Sequence, residues 1–425
     1  MAMFGMRGTG DWVTDQRPKS WREAILYLYP NGDAPLTALM SMVSSESPSD
    51  PEFYWWTQTF PTQKATVTGV YTDTGLGTGY ASGAAAGTVL YFKMSAADIA
   101  HFRVGHQVLC RDASDYTVDV NGKVVARTVN GDSSFVGVRL LEADDNSTAG
   151  DLSDCDTLLV IGNINPEGGA MPQAVAYDPA KLYNYTQIFR TPLSITRTAM
   201  KTRLRTGDAY AKAKKEALEI HSVEIEKALL WGIPTENVGD NGKPERTTGG
   251  LLHWIRTYGT VSNYPTNEAY DGKTWVLGGQ DFLNAQLEIM FRYGPSERLA
   301  LCGTGAILGI DKLVKAAGEY KIGPNEKVYG MNVRRWITPF GDVLLKIHPL
   351  FSHEATNRQS MVIFSPEYLK QQIIDDTDFY DDKSSGRGRI DGKEEEFLTE
   401  LGLELHHPST MGFLTGIGSD NAASE

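Results

Sequence analysis

Between Ala209 and Trp231 the chain has neither proline nor glycine, and Ala, Lys, Glu and Leu dominate, all good helix formers. Apolar residues there follow two neighbouring seams. Ala213, Ala217, Ile220, Ala228 and Trp231 form one, and Leu218, Ile225 and Leu229 form the other; Lys212, Lys215, Glu219 and Glu226 fall opposite or between them. The pattern predicts a helix over 208–231, capped by Asp208 and stopped by Gly232 and Pro234. At 1.5 Å per residue it is a rod of roughly 35 Å. Pattern alone allows two roles: the core helix of an ordinary soluble domain, or a beam across a thin one. A beam would have sheet on one side and a neighbouring subunit near the other.

Upstream, the patterning breaks repeatedly. Residues 1–50 form an arm with Gly5, Gly8, Gly10 and Pro18 and two short helical stretches, WREAILYLY after Ser20 and 34–44. Trp12 and Trp21 are candidate anchors of this arm against a partner surface, or pack on its own domain. Glu52 to Phe60 is aromatic and threonine-rich, as a strand would be. Gln63 to Gly87 is a polar Gly/Ala/Thr tract that cannot build a core alone. It is expected to be disordered or an extended loop held by neighbours. From about 88 to 164, short apolar runs are punctuated by Asn121-Gly122 and Asn130-Gly131-Asp132, predicting a small all-β barrel or sandwich. Leu182 to Thr196 reads as a strand pair broken near Pro192. Residues 51–198 are therefore expected to be a long excursion carrying the β module at its tip.

Downstream, helices and strands mix. Helices are expected at 251–258, 278–293 and 304–317, the first of them alternatively a buried strand end. Strands are expected at 298–302, 329–338, 341–348, 360–365 and 394–406. Pro366 to Tyr368 opens a polar linker, and Asp375 to Gly392 is expected to be loop. The body is α+β or mixed α/β, in a chain long enough for two to three domains.

Acidic residues outnumber basic ones 53 to 40, so the chain is a poor non-specific ligand for nucleic acid and would contain DNA rather than grip it. No apolar run approaches a membrane span, the first residues lack a signal-peptide core, and no scaffold-like helical segment precedes residue 20. Cys110, Cys155 and Cys302 are widely spaced and form no CxxC, which points to a reducing compartment and away from a disulfide framework or structural zinc.

Catalytic constellations are missing: there is no GxSxG, HExxH or Walker A loop. Gly303-Thr304-Gly305 reads as a strand-to-helix turn, and Gly75-Leu76-Gly77-Thr78-Gly79 lies outside a strand–helix context. His101 and His106 are expected to be separate surface residues, and His221 a partly buried one satisfied by a hydrogen bond. Asp375, Asp376, Asp378, Asp381 and Asp382 are read as a solvated acidic strip rather than a calcium loop. The stretch from Lys383, with Arg387 and Arg389, is basic and is expected to pair with such a strip on a neighbour. No catalytic, cofactor or metal residues are nominated. The assembly candidates are Trp12, Trp21, Lys212, Glu219, Asp381, Asp382, Arg387 and Arg389.

One segment is specific. NYTQIFRTPLSITRTA from Asn184, followed by the long helix ending LLWG, resembles the major capsid proteins of tailed bacteriophages, in the branch with this TQIF segment. APLTALM, PEFYWW and the closing GLELHHPSTMGFLTGI resemble that branch too. The resemblance implies the Hong Kong 97-type capsid fold: an arm (1–50), an extended loop (51–198) with an inserted β domain, a peripheral domain (199–259 and 351–416) on a spine helix (208–231), an axial domain (260–350) and a flexible tail (417–425). It implies a shell of hexamers and pentamers closing into an icosahedron around double-stranded DNA, with portal, scaffolding and decoration proteins as candidate partners and assembly in the host cytoplasm. The alternative from the residues is a virion or surface carbohydrate-binding or polysaccharide-cleaving protein, suggested by Trp55-Trp56 and the β module.

Overall fold

The computed structural model describes residues 44–58, 63–113, 119–144, 152–202, 209–317, 322–328, 331–353, 355–381 and 391–421. They fall into two compact units. Gln58–Ala180 forms one, and the chain up to Thr57 and from Lys181 onward forms the other.

Within Gln58–Ala180, six strands close a barrel in the order Lys64–Tyr71, Val89–Met94, Phe135–Leu140, Asp119–Thr128, His106–Arg111, Thr157–Asn163. Alternate residues point inward, so Leu90, Phe92 and Met94 are buried, as are Val108 and Cys110, and Val136, Val138 and Leu140. They make one apolar cluster with Phe102 and Leu152. The barrel begins at Lys64 and not near Thr88. In KATVTGVY, Ala65, Val67 and Val70 turn inward, and small residues with threonines between them mask the period-2 signal. The rest of the polar tract is held by backbone hydrogen bonds, such as the Tyr80 amide to the Val70 carbonyl at 2.9 Å, and by side chains. Asp73 accepts from the Gly77 and Thr78 amides at 3.2 and 2.8 Å. The Tyr80 hydroxyl donates to buried Asp144 at 2.5 Å and accepts from the Ala84 amide at 2.9 Å. The amides of the GLGTG stretch thus close on a carboxylate of their own chain.

The second unit holds two larger sheets. A four-stranded sheet runs Ser45–Glu46, Leu369–Asp381, Gly392–Leu405, Gln187–Thr196. A seven-stranded sheet runs Thr260–Asn263, Gly412–Thr415, Met361–Phe364, Glu297–Cys302, Gly341–Ile347, Met331–Thr338, Ile322–Val328. Its central strands are buried on both faces, as the continuous run RLALC predicts. Leu299, Leu301, Leu344, Val362 and Phe364 face the core that includes Ile225 and Leu229 of the long helix. Ala300, Cys302, Val343, Leu345 and Ile363 face helices Trp275–Phe291 and Thr304–Ala317.

Leu251–Tyr258 is a helix, the first of the two readings of that stretch. Other sequence expectations change. The strand pair at 182–196 breaks at Thr186, and Pro192 sits inside Gln187–Thr196. That strand is a sheet edge, where a residue without an N–H is tolerated. The acidic run is not loop: Asp375, Asp376 and Asp378 belong to the 13-residue strand Leu369–Asp381. Met361–Phe364 and Gly412–Thr415 pair into the same sheet as Thr260–Asn263 and Glu297–Cys302, so that sheet draws strands from both sides of residue 350.

Candidate functional site

The long helix, Ala209–Trp231, lies against Gln187–Thr196 and Gly392–Leu405 of the four-stranded sheet. Ala217 and Leu218 pack with Leu193 and Phe397. Further along, Ile225, Leu229 and Leu230 join Phe53, Trp55, Trp254 and Phe351. Two positions depart from the seams read in the sequence. Ile220 is 53% exposed, and Glu226 is fully buried. Residue 208, the expected cap, lies outside the described residues.

Glu226 is buried because it has a partner. Its Oε1 is 2.8 Å from Nε2 of His348, also fully buried. The Leu350 amide donates to His348 Nδ1 at 3.2 Å, so Nε2 carries the proton and donates to the carboxylate. A glutamate off the apolar seams, paired with a histidine distant in the chain, leaves no local sequence signal.

His221 is the second polar tie between helix and sheet. Its Nδ1 is 2.9 Å from the Thr191 hydroxyl, and its Nε2 is 2.8 Å from that of Thr399. Thr191 donates its own proton to Glu224 at 3.0 Å, so it accepts from Nδ1–H. A neutral imidazole protonated at Nδ1 satisfies both neighbours. Burial depresses the His221 pKa from 6.5 to about 4. The unfolded chain therefore takes up this proton before the folded one does, so the contribution is fully present above pH 6.5 and is lost as pH falls toward 4. Denaturant titrations between those values should lose about 1.4 kcal/mol per pH unit from this group. His221→Gln should remove that slope, and an unchanged slope would refute the assignment.

In and around the TQIF stretch, all residues but the exposed Ile188 have a partner or a buried place. Asn184 is buried between Ala180–Tyr185 and the loop before helix Leu251–Tyr258. Its Nδ2 donates to the carbonyls of Leu403 at 2.6 Å and Gly249 at 3.0 Å. Its Oδ1 accepts from the amides of Gly249 at 2.7 Å and Tyr185 at 2.9 Å. Thr186 donates to Glu400 at 2.8 Å, and Gln187 Oε1 accepts from the Thr248 amide at 3.1 Å. Phe189 is buried, and Arg190 makes a forked pair with Glu396 at 2.9 and 2.6 Å. Asn184→Ala would strand several buried donors and acceptors at once. About 3 kcal/mol of stability should be lost, at 1–3 kcal/mol per group left unpaired. A denaturation midpoint unchanged from the parent would show that the hub is not needed.

Of the assembly candidates, Lys212 and Glu219 are half-exposed on the helix. They form i,i+4 pairs, Lys212 with Glu216 at 3.7 Å and Glu219 with Lys215 at 3.8 Å, of little energetic weight at a surface. Asp381 ends strand Leu369–Asp381. Trp12, Trp21, Asp382, Arg387 and Arg389 lie outside the described residues. The structure therefore brings only Lys212 and Glu219 onto a common element.

The other candidates for chemistry read in the sequence have structural partners. In the Gly303–Gly305 turn, the Gly303, Thr304 and Ala306 amides go to the Ser360 carbonyl, the Ser352 hydroxyl and the Arg358 carbonyl. His101 stacks on Tyr177, while the Arg103 amide donates to His106 Nδ1 at 3.4 Å. Among the described residues no group of three or more His, Cys, Asp or Glu is placed to hold a metal ion, and no helix is long and apolar enough to cross a membrane. Trp55, 4% exposed, donates to the Leu405 carbonyl at 3.0 Å and meets Trp254 edge-on. Trp56 is 61% exposed, so the pair is not one flat platform for a sugar.

The order of elements follows the capsid pattern: strand Glu52–Thr57, an excursion, strand Gln187–Thr196, the long helix, the helix-flanked sheet, and a return through Gly392–Leu405. Comparisons agree. The chain is 24% identical over 424 residues to a major capsid protein of Pseudomonas phage PaMx41, covering 94% of this chain and 92% of that one. A solved structure from Mycobacterium phage Adephagia aligns over 91% of this chain and 90% of its own at 8% identity, with a TM-score of 0.37. The capsid of Myoviridae phage XM1 aligns over 56% and 76% at 13% identity, also with a TM-score of 0.37. At those scores the superpositions add no weight to the element order. The model of the SU10 major capsid protein family matches residues 11–418, almost the whole chain, and the chain belongs to that family.

Proposed function

We propose that the chain is the repeating tile of a phage head, assembling in the host cytoplasm as hexamers and pentamers that close into an icosahedral shell around double-stranded DNA. The observation that carries this reading is the family match across 11–418, which includes the barrel and both sheets of the body. The acidic balance of 53 to 40 supports a container over a DNA-gripping protein. In this reading 199–259 and 351–416 form the peripheral part, with the long helix as its spine, and 260–350 is axial, near the capsomer centre. Portal, scaffolding and decoration proteins are further partners. The basic stretch with Arg387 and Arg389 meets an acidic strip such as Asp381 and Asp382 of a neighbouring copy, so reversing the acidic run to lysines should impair assembly.

Negative-stain imaging of the expressed protein tests the reading. Shells, tubes or capsomers are expected. A stable monomer that binds or cleaves glycans would favour the carbohydrate alternative.

A further inference from the structure

Their spacing gives no reason to pair any of the cysteines, yet the barrel brings two together. Cys110 points inward from strand His106–Arg111, opposite Leu158, with Arg111 opposite Thr157. Just before Thr157, the Asp156 amide donates to the Arg111 carbonyl at 3.2 Å. The 152–156 corner is thus tied to the end of the Cys110 strand. The Cys155 amide donates to the Leu152 carbonyl at 3.2 Å, and its thiol donates to the Thr157 carbonyl at 3.4 Å. Cys110 and Cys155 are side-chain hydrogen-bond partners inside one apolar cluster. Cys302 lies in the other unit, buried in strand Glu297–Cys302, and serves as an internal reference.

We propose that Cys110 and Cys155 are a latent, reversible intrachain disulfide that closes when the protein leaves a reducing compartment, stapling the 152–156 corner to the barrel wall. Only the timing, oxidation after release of the particle, rests on the shell reading. The oxidant is a low-molecular-weight disulfide. One cysteine thiolate attacks an oxidant sulfur and releases a small thiol. The second cysteine, on losing its proton, attacks the mixed disulfide and releases another. Two protein thiols are oxidised to one disulfide, and one oxidant disulfide is reduced to two thiols. The hydrogen bond to Cys155, and then burial, hold the Cys110 thiol well above its usual range. Thiolate is scarce in the closed barrel, so the reaction is slow and proceeds through local opening.

The test uses the full chain, unassembled and as particles, incubated with oxidised glutathione, then denatured and labelled with a maleimide for mass spectrometry. Two of the three thiols should disappear slowly, leaving a chain two hydrogens lighter and a Cys110–Cys155 linked peptide. Cys302 should still label, mild urea should speed the loss, and dithiothreitol should reverse it. Cys155→Ser should abolish the internal link. Three labelled thiols after prolonged oxidation in mild urea, or a link through Cys302 or between chains, would overturn the proposal. The count on unassembled chain is independent of particle formation, so failure here and failure of the shell reading are distinguishable.

Discussion

Ile225→Asp should yield no soluble, folded body. Ile225 is 2% exposed and packs where the long helix meets both sheets. The substitution removes a buried aliphatic side chain, worth about 2–5 kcal/mol on truncation, and places an unpaired carboxylate there at a further cost of several kcal/mol. Together these approach the whole stability of a typical domain, about 5–15 kcal/mol. Leu218→Asp should behave alike, because Leu218 is buried with Leu193 and Phe397. Lys212→Glu and Glu219→Lys are the controls. They alter half-exposed i,i+4 pairs, so stability should move by about 0.5 kcal/mol, and any larger defect should appear at assembly. Circular dichroism and solubility decide the matter. Soluble, normally folded Ile225→Asp protein would mean that the buried face of the helix is wrongly placed.

Arg298→Leu should be the next most damaging change. Arg298 heads the central strand Glu297–Cys302 and is fully buried. Its guanidinium donates to the Thr410 carbonyl and, at 2.8 Å, to those of Met290 and Tyr293, and lies over the Phe291 ring with its centre 4.7 Å away. It therefore ties the end of helix Trp275–Phe291 to the turn Pro408–Thr410. Burial lowers its pKa to about 10, which still leaves it cationic at neutral pH. Leucine fills part of the space but strands three carbonyls. Relief of the buried charge offsets some of that cost, and a net loss of about 3–5 kcal/mol is expected. Lysine should rescue only partly, since an ammonium lacks the planar fork that reaches several acceptors. A chemical denaturation midpoint unchanged in Arg298→Leu would show that the carbonyls find other donors.

What could be read in advance follows from how local each signal is. Thr304–Ala317 and the hairpin around Pro339-Phe340-Gly341 appear where the sequence puts them, because glycine and proline mark their ends. Strand Leu369–Asp381 escaped notice because aspartates occupy its exposed positions while Thr377 and Phe379 turn toward the helix. Ile322–Val328 escaped because IGPNEKV has the composition of a turn. TQIF was legible as a signature but not as a mechanism. Asn184 acts through Gly249 and Leu403, far along the chain. Glu226 with His348, and Cys110 with Cys155, are likewise pairs that only the fold creates.

The central claim, that this chain is the tile of a closed shell, is tested most directly by a cryo-electron microscopy reconstruction of the assembled product. Five-fold and six-fold capsomers should appear in one shell, with residues 260–350 nearest each capsomer axis and the Ala209–Trp231 helix farther out. A reconstruction without such capsomers, or a homogeneous monomer under conditions where the chain is folded, would contradict it.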